Sequence, residues 1–208
     1  MYYVLSTLAL ALSLDASAPG QSSSAPLAAA CVPHEANLGG IGRVTVFGFT
    51  GPVFGGRVCA TVANLGSDQF TARVAGAQSE DALVIAALTG GGDVTAPLGD
   101  AAVTGTGPYV IAPGGVIPAF GADTAEQPRV VLAYAGQRTF LIATSAVALV
   151  DLAKELRTQP GAFGADAFER AVLLASGPNA ALSLRTSDGT MGAANVTTPR
   201  VLLIMKRG

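Results

Sequence analysis

QPRVVLAYAGQRTFLIATSAVALVDLAKELRT, residues 127–158, decides the fold. It opens with an apolar run at 130–134, turns at Gly136-Gln137, and continues with a second apolar run at 139–143. Two short apolar runs around a turn pair predict two strands. The period then changes: Leu149, Leu152, Ala153 and Leu156 fall at i, i+3, i+4 and i+7, with Asp151, Lys154 and Glu155 on the other side. That spacing predicts a helix over 147–158. Pro160-Gly161 stops it, and 165–170 is expected to add a helical turn or two.

Working outward, ordered structure is expected from about Asn37. The runs 42–49 and 57–62 are β-branched and flanked by Gly or Pro, and 70–74 alternates as a strand does. Residues 82–88 form a continuous apolar run that stops at Thr89-Gly90-Gly91-Gly92, which fits a buried strand ending at a loop. Further strands are expected at 109–111, 172–174, 181–185 and 201–205, with Asp188-Gly189 as a turn near the end. Strands outnumber helices and no regular βαβ alternation occurs. The expected class is α+β: a single domain with a mixed, mostly antiparallel β-sheet and one or two packed helices.

The chain has 208 residues, of which 12% are charged, and a formal charge of −2. Globular proteins average about 25% charged residues, and no basic stripe is present to neutralise phosphates, so nucleic-acid binding is disfavoured. There is one His, His34, which makes Ser/His/Asp or Cys/His nucleophiles and multi-histidine zinc sites poor readings. His34 itself reads as a solvated linker residue. Asp93, Asp100 and Asp123 offer hard oxygen ligands, but their spacing fits no EF-hand loop; no metal and no cofactor is called for.

Residues 4–14 are apolar and uncharged, short for a bilayer span and suited to the core of a secretory signal. Residues 1–36 read as a signal-like segment and flexible linker, and 37–208 as the domain. Export to the periplasm, the envelope or the exterior follows as an expectation, with the membrane involved only through the N-terminal segment if it is retained. Cys31 and Cys59 fit one disulfide in an oxidising compartment, or a processing site at Leu27-Ala28-Ala29-Ala30-Cys31 and a buried thiol.

The order of these elements resembles the second half of the phosphodiester glycosidase domain family, which includes the uncovering enzyme that removes N-acetylglucosamine from phosphomannosyl groups. The resemblance is carried by Gln127-Pro128-Arg129-Val130-Val131-Leu132-Ala133, the following strand and helix, and residues 171–184 around Ala175-Ser176-Gly177-Pro178-Asn179. Upstream, Thr89-Gly90-Gly91-Gly92-Asp93 is similar to the family's asparagine-glycine-glycine loop, and Thr95-Ala96-Pro97-Leu98-Gly99 to its proline-leucine-glycine turn. The resemblance spans about residues 42–206. It implies a hydrolase acting on a sugar attached through phosphate, with a sugar-phosphate or glycan as ligand. Arg129 would hold the phosphate, Asp93, which with Gly92 replaces the family's aromatic pair, would be the catalytic acid if it reaches the same space, and Thr89, Gly90, Gly91, Ser176, Gly177 and Asn179 would bind substrate.

The departures fall on the chemistry. Thr89 stands where the family has asparagine, Val130 where it has threonine, and Ala175 where it has aspartate. Hydrolysing such a diester needs a carboxylate for proton handling, a cation on the phosphate oxygens, and turns whose N–H groups face an anion. Here the cation and the turns remain, and losing the acid removes a contribution on the order of 100- to 10,000-fold. The alternative is a catalytically reduced envelope module, for binding or structure, that keeps the fold. Each motif also has a plain reading: Thr89 to Asp93 as a strand-ending turn, Arg129 as a strand-edge residue or a partner of Glu126, and Ser176 to Asn179 as an ordinary β-turn.

Overall fold

The computed structural model describes residues 31–38, 42–49, 58–66, 70–75, 84–87, 95–98, 101–104, 108–120, 124–193 and 202–207. The centre is the hairpin foreseen in the sequence: β9 (Gln127–Ala135) and β10 (Arg138–Val147), paired from Ala135↔Arg138 outward. Gly136 closes the turn at φ 58°, a left-handed backbone that glycine adopts without steric cost.

The remaining strands in chain order are β1 (His34–Leu38), β2 (Gly42–Phe49), β3 (Val58–Asn64), β4 (Phe70–Ala75), β5 (Val84–Ala87), β6 (Thr95–Leu98), β7 (Ala101–Thr104) and β8 (Tyr109–Ile111). After the central hairpin and helix come β11 (Arg170–Ser176), β12 (Leu182–Thr186), β13 (Gly189–Ala193) and β14 (Leu202–Arg207). A twelve-stranded sheet runs β4-β14-β5-β12-β1-β2-β3-β10-β9-β11-β8, with β13 added on β12; β6 and β7 form a separate hairpin. Every strand pairing among the described residues is antiparallel. With one α-helix among the described residues, α1 (Leu149–Thr158), the fold is α+β and dominated by strands.

Both faces of the central sheet are buried. Alternation along β9 and β10 sends Val131, Ala133, Ala135, Phe140 and Ile142 to one face, where they meet Leu149, Leu152, Ala153 and Leu156 of α1. Phe163 and Phe168 extend this layer: Phe47 packs edge-on against Phe163 at 5.4 Å, and Phe140 against Phe168 at 5.4 Å. The other face carries Val130, Leu132, Leu141, Ala143, Ala63, Val44 and Leu38, none of them more than 0% exposed. Strand β5 also approaches β11, at the other side of the strand order, so the sheet curls back on itself.

Four expectations change. Structure begins at His34, inside the segment read as linker, because Ala36 and Leu38 are buried while His34, Glu35 and Asn37 face solvent. His34 is a strand residue whose Nε2 lies 3.0 Å from Asp188 Oδ2 in the β12–β13 turn. Residues 165–170 are not helical: a 3-10 turn, Pro160–Phe163, ends at Gly164 (φ 76°), and Glu169 N–H donates to the Tyr134 carbonyl, already alongside β9. Thr95–Leu98 is a strand, paired with Ala101–Thr104, where a turn was expected.

Glu155 is the fourth. It is 4% exposed, although the helical spacing put it with Asp151 and Lys154 on the outer side. Burial pushes its carboxyl above the ordinary range, because desolvation disfavours the charged form. The folded state therefore holds this proton to higher pH than the unfolded chain, and stability falls as pH rises above about 4.3. Glu155→Gln is expected to flatten that part of the pH–stability curve and to leave stability at pH 7 unchanged or higher; unfolding midpoints of both proteins between pH 4 and 7 check it.

Cys31 and Cys59 form a disulfide, with Cα atoms 5.4 Å apart. It fastens the residues before β1 to the first half of β3, where Cys59 N–H also donates to Ser145 Oγ at 2.9 Å. The bond closes a separation of 28 residues, for which chain entropy gives roughly 3–4 kcal/mol of stabilisation. Cys31→Ser/Cys59→Ser is expected to lower the unfolding free energy by about that amount, and a denaturant titration measures it.

Candidate functional site

Arg129 lies near the start of β9, and the register brings its partners to it. Thr144 of β10 stands opposite it on one side and Ser176 of β11 on the other, so the three share one face and one row. The ladder bulges just beyond Thr144, and pairing resumes at Val147↔Gln127, which turns the Val147 carbonyl toward the row.

The guanidinium is 1% exposed. Its Nε donates to the Val147 carbonyl at 3.3 Å, Nη1 to Ser176 Oγ at 3.0 Å, and Nη2 to the Ala125 carbonyl at 2.8 Å. With the Gln127 amide oriented so that its oxygen faces the guanidinium, Gln127 accepts from Nη1 at 3.1 Å and Nη2 at 3.3 Å. A buried guanidinium must find acceptors for its five donors, and these groups are among those that supply them. Arg129 thus joins the approach to β9, the step from β10 into α1, and the end of β11.

Ser176 is followed by a 3-10 turn, Gly177–Asn179. Gly177 has φ 62°, and a Cβ there would come within 2.8 Å of the Gln127 side-chain amide. The left-handed backbone favours glycine at this place, and a Cβ there would have to displace the end of the Gln127 side chain. The turn is closed by Ala180 N–H donating to the Gly177 carbonyl at 3.0 Å.

Ala175 is 0% exposed and pairs with Val130, next to the Ser176↔Arg129 pair. Successive strand residues point to opposite faces, so Ala175 faces the second core and not the guanidinium. The position that the resemblance assigns to an acid is turned away from Arg129.

Of the residues singled out in the sequence, Arg129, Ser176 and Gly177 come together, with Asn179 ending the same turn. Thr89, Gly90, Gly91 and Asp93 lie outside the described residues, as do Asp100 and Asp123. The last described residue before the first loop, Ala87, follows Ala86, which pairs with Leu182. The chain thus leaves β5 at the sheet end where β12 begins, just after the Gly177–Asn179 turn. No group of three or more His, Cys, Asp or Glu suited to a metal ion occurs among the described residues.

Sequence reasoning passed over Gln127 and Thr144. Gln127 lies two residues from Arg129 on the same strand, so alternation alone would have found it. Thr144 emerges only from the β9–β10 register. Its hydroxyl is buried without a hydrogen-bond partner in this row.

No protein-family model matches the chain, and comparison with curated proteins finds no significant match.

Proposed function

We propose that this chain is an exported, catalytically reduced module of the cell envelope, for binding or structure, on a phosphodiester-glycosidase-like fold. The observation that carries this reading is the state of Arg129: 1% exposed and donating to Val147, Ser176, Ala125 and Gln127. A phosphate clamp presents its fork to the ligand, whereas this guanidinium presents it to the protein. Ala175, turned toward the second core, adds support, because no acid stands there to move a proton. The Cys31–Cys59 disulfide favours an oxidising compartment, and the apolar residues 4–14 favour export. No helix among the described residues is long and apolar enough to cross a membrane.

A second reading retains hydrolysis or recognition of a sugar attached through phosphate. It is favoured by the position of Ala87, the last described residue of β5, at the end of the sheet where the Gly177–Asn179 turn lies. Asp93 would then be the acid. Incubating the purified chain with a synthetic sugar phosphodiester separates the two readings. The envelope-module reading expects no sugar release above the uncatalysed rate. Release by the wild-type chain that disappears in Asp93→Asn, with folding unchanged, would establish the second reading instead.

A further inference from the structure

A cavity of about 350 Å³ opens on the α1 side of the sheet, away from the Arg129 row. Its floor is Glu35 of β1, Arg43, Thr45 and Phe47 of β2, and Val62 and Asn64 of β3. Its wall is Gly161 to Gly164, from the 3-10 turn Pro160–Phe163 and the glycine that ends it, held in place by the Phe47–Phe163 ring contact. The volume lies in the range of small-molecule sites.

Glu35 pairs with Thr45, and Arg43 with Asn37 and Asn64, so Glu35 and Arg43 are diagonal neighbours on one face, about 7–8 Å apart at the backbone. Long side chains of opposite charge at that spacing are able to meet. Here they do not: among the described residues neither the Glu35 carboxylate nor the Arg43 guanidinium has a hydrogen-bond or ion-pair partner, and both border the cavity. The Asn64 side-chain Oδ1 accepts from Gly66 N–H at 3.0 Å, which fixes that amide and leaves its NH₂ group without a partner among the described residues. The cavity therefore offers an anion and a forked cation on one side, an amide donor and the Thr45 hydroxyl between them, and an apolar patch of Phe47 and Val62.

The geometry points to a binding site for a small zwitterion of the α-amino-acid type. Its carboxylate would take the Arg43 fork, its ammonium Glu35, and an aliphatic side chain would cover Phe47 and Val62. A single added charge leaves one of the two wall groups unmatched, whereas the zwitterion satisfies both. This site is separate from the Arg129 row and stands whichever reading of that row holds.

The test is titration of the ¹⁵N-labelled protein with leucine, leucinamide, N-acetyl-leucine and glucose, following the backbone amides of Thr45, Asn64 and Gly161. Leucine is expected to shift them saturably. Leucinamide, without the carboxylate, and N-acetyl-leucine, without the ammonium, are expected to bind at least about tenfold more weakly. Arg43→Gln should erase the preference for leucine over leucinamide, and Glu35→Gln the preference over N-acetyl-leucine. Both residues are exposed, and the same spectra report whether each variant is folded. The proposal is overturned if leucine leaves these amides unmoved, if the singly charged analogues bind as well as leucine, or if glucose produces the same saturable shifts.

Discussion

Replacing Ala175 by Asp is expected to lower the unfolding free energy by about 3 kcal/mol or more at pH 7 and to create no hydrolytic activity. Ala175 is 0% exposed and pairs with Val130, whose face is filled by Leu132, Leu141 and Ala143. A carboxylate placed there loses its water and meets apolar side chains, while the nearest guanidinium in the ladder, Arg129, projects from the opposite face. Burial would raise the new carboxyl above the ordinary aspartate value of about 3.9, so the folded state would bind its proton more tightly than the unfolded state. The stability deficit is present at neutral pH and shrinks as pH falls toward about 4. Urea titrations of both proteins at pH 7 and pH 4 measure it. A stable variant that acquires diesterase activity would mean that the 175 side chain turns toward Arg129.

Arg129→Ala is expected to cost at least about 3 kcal/mol, more than a surface arginine contributes. The substitution removes donors from the Val147 and Ala125 carbonyls, Ser176 Oγ and Gln127, and leaves those acceptors beside a large void. Buried acceptors without donors and an unfilled volume both destabilise the folded state. Arg129→Lys retains the charge but cannot reproduce a planar fork that reaches three segments at once, so it should recover only part of the loss. Thermal midpoints of the three proteins test this. An Arg129→Ala protein melting with the wild type would remove the residue from the framework.

The fold was legible where burial dictates the residues. The runs that became β2 and β8 are continuous enough to fix their ends, and the hairpin of β9 and β10 announces itself through Val130 to Tyr134, Gly136-Gln137 and Thr139 to Ala143. The strand β1 was hidden because three of its five residues, His34, Glu35 and Asn37, face outward and read as linker. Pro97 disguised β6, since proline in a strand is confined to special positions such as edges. Glu155 defeated the helical wheel: the apolar stripe was drawn from residue type, whereas packing of α1 on the sheet buries a wider arc.

The site was legible as residue types but not as geometry. Arg129 and Ser176 are 47 positions apart, and only the β9–β11 register brings them to 3.0 Å. The same register decides that Ala175 and Ser176 point to opposite faces, a distinction that motif matching cannot make. Arg129 looked like a ligand-binding cation because its type suits phosphate; its burial and its acceptors became visible only once the strands were aligned.

The role of Arg129 can be read directly from its Nε–H signal in a ¹H–¹⁵N spectrum, recorded while inorganic phosphate and then a sugar phosphodiester are added. A guanidinium held by Val147, Ser176, Ala125 and Gln127 gives a signal that exchanges slowly with water and stays in place throughout both titrations. A fast-exchanging signal that moves saturably with either anion would contradict the framework role and return Arg129 to the ligand.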